Sequence, residues 1–327
     1  SVVRAAEMAI EKANREGGYR GVELSLYVRT AEGFWGAGSK ESVSLVYEDR
    51  VRAIIGSLDG RNGHLAEQVA TKSHLAYVEC LATEPTLSQA FVPWFTRLVP
   101  NDNQQARLLV EEIVRGGGGK TAVLTSGGYD SRYAVKSLVR ELASVEITPF
   151  IQTLEPEQPL PESLPERLEE AEIRHLLLPF GSPAVDRLVE ALKTRLPGIR
   201  IYGTLHFHMD LEERSVPLES YEGAWMIGSP HPWNREGQQL MTRWYERFGE
   251  LPRLRQVYVY DAVNRLVTAI RETGLKREEI SRWLLEEVTE GAVTGPVAYD
   301  ELGNRLNAAH LVRVEKGRLI MESSHPL

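Results

Sequence analysis

Apolar and polar residues follow two periods along the first two thirds of the chain. Apolar residues spaced three and four apart predict helices, and the short apolar runs between them predict strands. Helices are predicted at SVVRAAEMAIEKANREGG, SKESVSLVYEDR, HLAEQVATK, DNQQARLLVEEIVRG, YDSRYAVKSLVRELA, PESLPERLEEAE and VDRLVEALKTR, and strands at VELSLYV, VRAIIGS, LAYVE, TAVLT, VEITPFI, RHLLLPF and IRIYG. This βα alternation is typical of a parallel sheet with helices on both faces, so the predicted fold class is α/β.

The last third of the chain has a different pattern. Three successive helices are predicted at GQQLMTRWYERFG, VYVYDAVNRLVTAIRETG and REEISRWLLEEVTEG, followed by short strands in TGPVAYD, AAHLVRVEKG and RLIMES. Two sheet systems of similar size would account for the 327 residues.

The glycine run in RGGGGKTAVL resembles a nucleotide phosphate loop at first sight. Such a loop needs its first glycine five residues before Gly119, where this chain has Val114. A predicted helix precedes the run and a predicted strand follows it, which is the reverse of the order in a phosphate loop. We therefore interpret the glycines as a helix end that leads into a strand.

Composition narrows the range of functions. The chain is 42% hydrophobic and 26% charged, with a net charge of −8, which is typical of a soluble globular protein and disfavours general binding to nucleic acid or anionic membranes. No apolar run approaches the roughly 18 residues of a membrane span, and no signal peptide is visible. A single cysteine, Cys80, excludes an intrachain disulfide and a cysteine-based zinc site.

An ordered set of motifs points to one family. The segments VRAIIGSLDGRNGHLAEQVA, LAYVECLATEPTLSQ, VPWFTRLVPNDNQQARLLVEEI, AVLTSGGYDSRYAVKSL and TGPVAYDELGNR resemble the type I periplasmic binding proteins of the branched-chain amino-acid transport class. The resemblance implies two doubly wound parallel-sheet lobes, joined by three crossovers, with a ligand cleft between the lobes. Lobe 1 would comprise 1–100 plus 232–302, and lobe 2 would comprise 101–231 plus 303–327.

The same resemblance implies a function. Members of the class are extracytoplasmic receptors that close over a small-molecule ligand and deliver it to an ABC permease, without a cofactor. We therefore expect a periplasmic or extracytoplasmic location. In the family a strand and a loop of small residues precede the first helix, whereas this sequence opens in that helix, so one wall of the expected cleft is not assigned.

In lobe 1 the resemblance points to two loops. The first carries Asp59, Gly60 and Arg61 before a helix whose starting amides suit a ligand carboxylate. Gly60 stands where the family typically has a serine, and Arg61 is either an anion partner or an exposed turn residue. The second loop begins at Glu79. In it the family uses a backbone carbonyl near Leu81 and the hydroxyl at Thr83 to receive the ligand's amino and carboxylate groups.

Two residues of the second loop have alternative interpretations. Thr83 is either a ligand contact or a cap for the turn before Pro85. Glu79 replaces a small residue of the family, and if it faces the cleft it favours a cationic or hydroxyl-rich ligand. Trp35, on a glycine-rich loop beside the expected cleft, either stacks on the ligand or packs structurally.

In lobe 2 the resemblance assigns Tyr129 as a cover over the ligand and Ser182 as a possible contact. The family's acid for an α-ammonium group falls at Leu205, which cannot pair with a cation. His206 follows as a candidate hydrogen-bonding group. If GTLHFHMD were a strand, His206 and His208 would share one face with only Asp210 as a further ligand, so no metal site is predicted.

Catalytic signatures do not appear in the sequence. There is no Gly-x-Ser-x-Gly elbow and no dinucleotide fingerprint, and Cys80 lacks the sequence context of a nucleophile. We therefore predict a receptor rather than an enzyme. The alternatives are the ligand-sensing domain of a receptor or regulator with the same fold and, third, an enzyme on an α/β scaffold. The ligand is either an amino acid or another small polar or aromatic compound.

Overall fold

The computed structural model describes residues 1–30, 37–90 and 92–322. The helices are α1 (Val2–Arg15), α2 (Ala37–Tyr47), α3 (Gly60–Lys72), α4 (Asp102–Arg115), α5 (Tyr129–Ser144), α6 (Leu164–Glu170), α7 (Pro183–Arg195), α8 (Leu205–Glu213), α9 (Arg235–Phe248), α10 (Leu254–Thr273) and α11 (Arg277–Glu286). The strands are β1 (Ala53–Gly56), β2 (Ala76–Glu79), β3 (Phe95–Arg97), β4 (Thr121–Thr125), β5 (Phe150–Thr153), β6 (His175–Leu178), β7 (Arg200–Gly203), β8 (Trp225–Gly228), β9 (His310–Glu315) and β10 (Arg318–Met321). Two 3₁₀ turns span Pro85–Ala90 and Leu218–Tyr221.

The chain folds into two compact units. Unit 1 comprises 1–101 and 229–308, and unit 2 comprises 102–228 and 309–327. The predicted lobes ended at 100, 231 and 302, so the last boundary differs most. Residues up to 308 belong to unit 1 because the Arg305 guanidinium donates to the carbonyls of Leu98 and Thr294, at 3.3 and 2.7 Å.

Unit 1 contains a parallel sheet in the order β1-β2-β3. Strand β2 is buried along its whole length, as expected for the central strand of a covered parallel sheet. The apolar side chains of β1, β2, β3, α2 and α3 form one core cluster. Helix α1 packs against α10, with Ala5, Ala9 and Ala13 buried.

Unit 2 contains a seven-stranded sheet in the order β10-β9-β8-β7-β6-β4-β5. Strands β4 to β8 are parallel, whereas β9 runs antiparallel to β8 and β10. A large apolar cluster contributed by β4, β6, α6, α7 and α8 forms its core. The α/β fold predicted from the alternation is therefore confirmed, but the expectation of two sheets of similar size is wrong for the described residues.

The carboxyl ends of parallel strands meet at one edge of a sheet, and this positions the candidate residues. In unit 1 the loops after β1 and β2 lie at the same edge, since Gly56 and Glu79 are paired in register. In unit 2 the loops after β4, β5, β6 and β7 share an edge. These edges are where open α/β sheets generally bind ligands.

The glycine run connects the end of a helix to a strand, as the sequence predicted. Residues 116–119 connect α4 to β4, and Gly117, Gly118 and Gly119 all have positive φ. Positive φ is the backbone conformation that favours glycine after a helix end. The run is at the amino end of β4, opposite to the edge that carries Tyr129.

Two predicted strands are wrong, and the conditional strand at GTLHFHMD is a helix. VELSLYV is not a strand; it makes one bridge, between Tyr19 and Val22, and most of its residues are exposed. With the described residues TGPVAYD forms isolated bridges, at Val297 and Tyr299, in place of a strand. GTLHFHMD ends β7 and then forms α8, because the Thr204 hydroxyl caps a helix by accepting from the Phe207 amide at 3.3 Å.

Candidate ligand-binding site

The loop after β1 is organised by Asp59, which caps α3. Its Oδ1 accepts from the Asn62 amide at 2.8 Å, and its Oδ2 accepts from the Asn62 side-chain amide at 2.7 Å. Gly60 is buried and Arg61 is exposed. The cap uses one of the helix-start amides and places a negative charge there, which opposes a ligand carboxylate at the same position.

Glu79 has a structural role that the sequence did not indicate. Its side chain is fully buried, and the carboxylate accepts from the amides of Ser57, Leu81 and Ala82 at 2.8 to 2.9 Å, and also from the Tyr77 hydroxyl. Burial raises the pKa of the Glu79 carboxyl, and these donors oppose the rise. Glu79 thereby connects the loop after β1 to the loop after β2.

Leu81 and Thr83 lie in the loop that Glu79 holds. Both are about 1% exposed. The Thr83 carbonyl accepts a hydrogen bond from Arg97 Nη1 at 3.1 Å, so β3 also supports this loop. The loop is therefore preformed by buried side chains on its own unit.

A second buried carboxylate, Glu84, adjoins Thr83. Its Oε2 lies 2.8 Å from His64 Nε2, and its Oε1 accepts from the Thr86 amide at 2.9 Å. Burial raises the pKa of Glu84, but the bonds from His64 and Thr86 outweigh it, so the pKa is lowered. The His64–Glu84 pair could not be predicted from the sequence, because the two residues are twenty positions apart.

In unit 2, Tyr129 is the first residue of α5. Gly128 is the N-cap of this helix. The Tyr129 ring lies 5.1 Å from the Tyr133 ring, measured between ring centroids, in a tilted arrangement. Gly127 has φ +70°, and a Cβ there would lie 2.6 Å from Glu155 Oε1. Thus Glu155, after β5, adjoins the turn that presents Tyr129.

The remaining predicted residues of unit 2 are largely engaged within their own unit. Ser182 is about 2% exposed and caps α7 by accepting from the Val185 amide at 3.3 Å. The Leu205 side chain is fully buried, and its amide donates to Gln105 Oε1 at 2.8 Å. His206 is partly exposed in the first turn of α8.

His208 does not share a face with His206, because both lie on a helix rather than a strand. Its Nδ1 lies 3.0 Å from the Ile227 carbonyl oxygen, which makes Nδ1 the protonated nitrogen. Burial lowers the pKa of His208 to about 4. Among the described residues, no group of three His, Cys, Asp or Glu side chains is arranged to hold a metal.

Trp35 lies outside the described residues. No helix within 1–30, 37–90 and 92–322 is long and apolar enough to cross a membrane.

The model of the periplasmic binding protein family matches residues 1–318. This chain belongs to the periplasmic binding protein family. The match spans both units and all the loops described above, so the predicted family is confirmed.

Solved structures share the fold of this periplasmic binding protein. A substrate-binding protein of an ABC transporter from Desulfitobacterium hafniense, in complex with Leu, has a TM-score of 0.82 and 16% identity, with 98% of this chain and 95% of that chain covered. A leucine-binding protein from Thermotoga maritima has a TM-score of 0.84 and 16% identity, covering 98% and 92%. A solute-binding protein from R. palustris, in complex with benzoate, has a TM-score of 0.83 and 13% identity, covering 98% and 89%.

A curated relative belongs to a different kind of protein. Glutamate receptor 3.7 of Arabidopsis thaliana is 33% identical over 115 residues, which are 34% of this chain and 12% of the receptor. The chain therefore matches only a small part of that receptor's length.

Proposed function

We propose that this chain is an extracytoplasmic solute-binding receptor that captures a small polar ligand and delivers it to an ABC permease. The observation that carries the proposal is the family match over residues 1–318, because it includes the loops at the carboxyl edge of the sheet in each unit. The structural likeness to transporter receptors supports the same proposal through the fold. The protein acts by binding and release, without catalysis.

We propose that Thr83 in unit 1 and Tyr129 in unit 2 contact the ligand. Thr83 lies in the loop after β2 and Tyr129 begins α5 just after β4, so both are at the carboxyl edge of a parallel sheet. Asp59, Gly60, Arg61, Glu79 and the Leu81 carbonyl lie at the same edge of unit 1 as Thr83. Ser182, His206 and Trp35 remain candidate contacts. Glu79 contributes by fixing backbone groups, since its carboxylate already accepts from three amides.

An amino acid is the first ligand class to test. Leu205 supplies no acid for an ammonium group, but Glu155 does stand at the same edge of unit 2. Its carboxylate makes no hydrogen bond or ion pair with the part of the chain that the structure describes. A carboxylate in that state is a suitable partner for an ammonium group.

A thermal-shift panel followed by calorimetry tests the proposal. Leucine, isoleucine, valine, benzoate, amides and polyols should include at least one compound that raises the melting temperature in a saturable way. Thr83→Ala and Tyr129→Ala should each weaken its binding about tenfold or more, with Glu157→Ala, an exposed position, as the control. Unchanged affinity in both variants would contradict the proposed contacts, and turnover of a bound compound would contradict the absence of catalysis.

A second function is the ligand-sensing domain of a receptor with the same fold. The 115-residue similarity to glutamate receptor 3.7 favours it. Reconstitution with candidate ABC permeases distinguishes the two functions, since only a transport receptor stimulates ATP-dependent uptake of its ligand.

A further inference from the structure

Two fully buried carboxylates flank the Thr83 loop, and each reaches the segment that begins α3. Glu79 accepts from the Ser57 amide before α3, and Glu84 meets His64 within α3. The loop between them therefore has fixed connections at both ends. Movement of either connection displaces Thr83, whose side chain is one of the proposed ligand contacts.

The two connections differ in chemistry. The Glu79 connection consists of neutral backbone and hydroxyl donors, which do not change with pH near neutrality. The Glu84 connection includes His64 at 2.8 Å, and the same His64 nitrogen lies 3.1 Å from the Thr86 hydroxyl. Histidine is the side chain whose charge ordinarily changes between pH 5 and 8.

The charges around His64 favour its cation. The hydrogen bond from Glu84 raises the pKa of His64 above its usual value, and the charges of Glu84 and Glu67 add to this, while burial and Arg97 oppose it. Glu67 Oε2 lies 3.9 Å from His64 Nδ1. The imidazolium thus lies between two buried carboxylates, one from α3 itself and one from the loop after β2.

We propose that His64 and Glu84 are a positioning pair that holds the Thr83 loop against α3 when His64 is protonated and loosens it as the pH rises. This inference rests on the proposed function, because it treats the Thr83 loop as a ligand loop. Deprotonation removes the positive charge of His64 from beside Glu84, which is 0% exposed and also accepts from the Thr86 amide. Removing the partner of a buried charge is costly, so the loop gains freedom.

The sign of the effect follows from the direction of the pKa change. A histidine whose pKa is raised on folding contributes stability below its unfolded pKa of about 6.5, and this contribution is lost as the pH rises through the folded value. Ligand affinity should therefore fall as the pH rises above about 6.5. By linkage, a ligand that needs the ordered loop must raise the pKa of His64 further.

The first test needs no ligand. Hydrogen exchange of residues 80–88, corrected for intrinsic rates, is measured between pH 6 and pH 8.5 in the wild type, His64→Gln and His74→Gln. His74 is exposed in unit 1 and stacks on Trp94, so it controls for removal of a histidine. Protection of the loop should fall about fivefold or more with pH in the wild type and in His74→Gln, but should not depend on pH in His64→Gln. An equal pH response in His64→Gln and the wild type would overturn the proposal.

The second test uses L-leucine and benzoate as probes. Calorimetry should show affinity falling about fivefold or more between pH 6 and 8.5 in the wild type and in His74→Gln but not in His64→Gln, and NMR titration should show the pKa of His64 rising in the complex. A bound probe that leaves the pKa of His64 unchanged contradicts the link to ligand binding. If neither probe binds, the exchange experiment still tests whether His64 and Glu84 position the loop. In that case the ligand assignment of the proposed function is contradicted, while the positioning pair is judged on the exchange result alone.

Discussion

Glu79 shows how one side chain sets the geometry of a loop. It accepts from three amides and two hydroxyls inside unit 1. The family resemblance placed Glu79 in a candidate ligand loop, where its side chain was considered as a group facing the cleft. The hydrogen-bond donors to Glu79 could not be identified from the sequence, because Ser57 is 22 positions away from Glu79.

We predict that Glu79→Ala lowers the free energy of unfolding by about 3–5 kcal/mol. The change leaves buried amide donors without an acceptor and creates a cavity beside Tyr77. Urea unfolding measures the effect, with Glu157→Ala as an exposed control. A loss below about 1 kcal/mol would show that water or a neighbouring side chain replaces the carboxylate.

His208 gives a pH prediction for unit 2. Its pKa is lowered to about 4 by burial, against about 6.5 in an unfolded chain. The unfolded state therefore binds a proton first on acidification, and stability present above pH 6.5 is lost as the pH falls towards 4. The loss attributable to His208 should be about 3 kcal/mol.

The loss due to His208 is measured as a difference between two proteins, because carboxylates also titrate between pH 7 and pH 4. Unfolding free energies at pH 7 and pH 4 are compared for the wild type and His208→Gln, which cannot titrate. The variant should lose about 3 kcal/mol less than the wild type. Equal losses would mean that His208 is solvated or protonated in the native state.

At the scale of elements, the start of α3 combines a cap with a charge. Asp59 caps the helix, but its carboxylate is of the same sign as the ligand group expected there. We predict that Asp59→Ser raises the affinity for a carboxylate ligand such as leucine or benzoate several-fold, with a stability change within about 0.5 kcal/mol. Calorimetry and urea unfolding measure the two quantities.

Ser182→Asp makes the opposite change, since it adds a charge at the cap of α7, which is also a candidate ligand contact. It should lower the affinity for the same carboxylate ligand. Unchanged affinity in Asp59→Ser would place the ligand's anionic group away from the α3 start.

Long periodic elements were predictable, and short elements with competing signals were not. Helices such as α4 and α5 follow clear apolar spacing, and their predictions are confirmed. The alternation in HFH is compatible with a strand, but Thr204 caps a helix and Leu205, Met209 and Leu211 are buried on it. VELSLYV alternates well, yet a strand also needs a partner strand, and among the described residues it has only the bridge at Val22.

For the whole molecule, the resemblance predicted two lobes, and each unit has its own apolar core. The periodicity alone could not assign strands to sheets, because pairing depends on contacts between distant segments. Strands β9 and β10 show this, since they follow unit 1 segments in the chain but extend the sheet of unit 2. The prediction of equal sheets failed for the same reason.

Separate cores predict separate unfolding transitions. Leu75 in unit 1 and Leu176 in unit 2 are fully buried in different core clusters. We expect Leu75→Ala and Leu176→Ala each to destabilise its own unit by about 2–5 kcal/mol. Hydrogen exchange in increasing urea should show loss of protection at lower urea only in the segments of the substituted unit. If either substitution shifts both units equally, the chain unfolds as one cooperative whole despite its two cores.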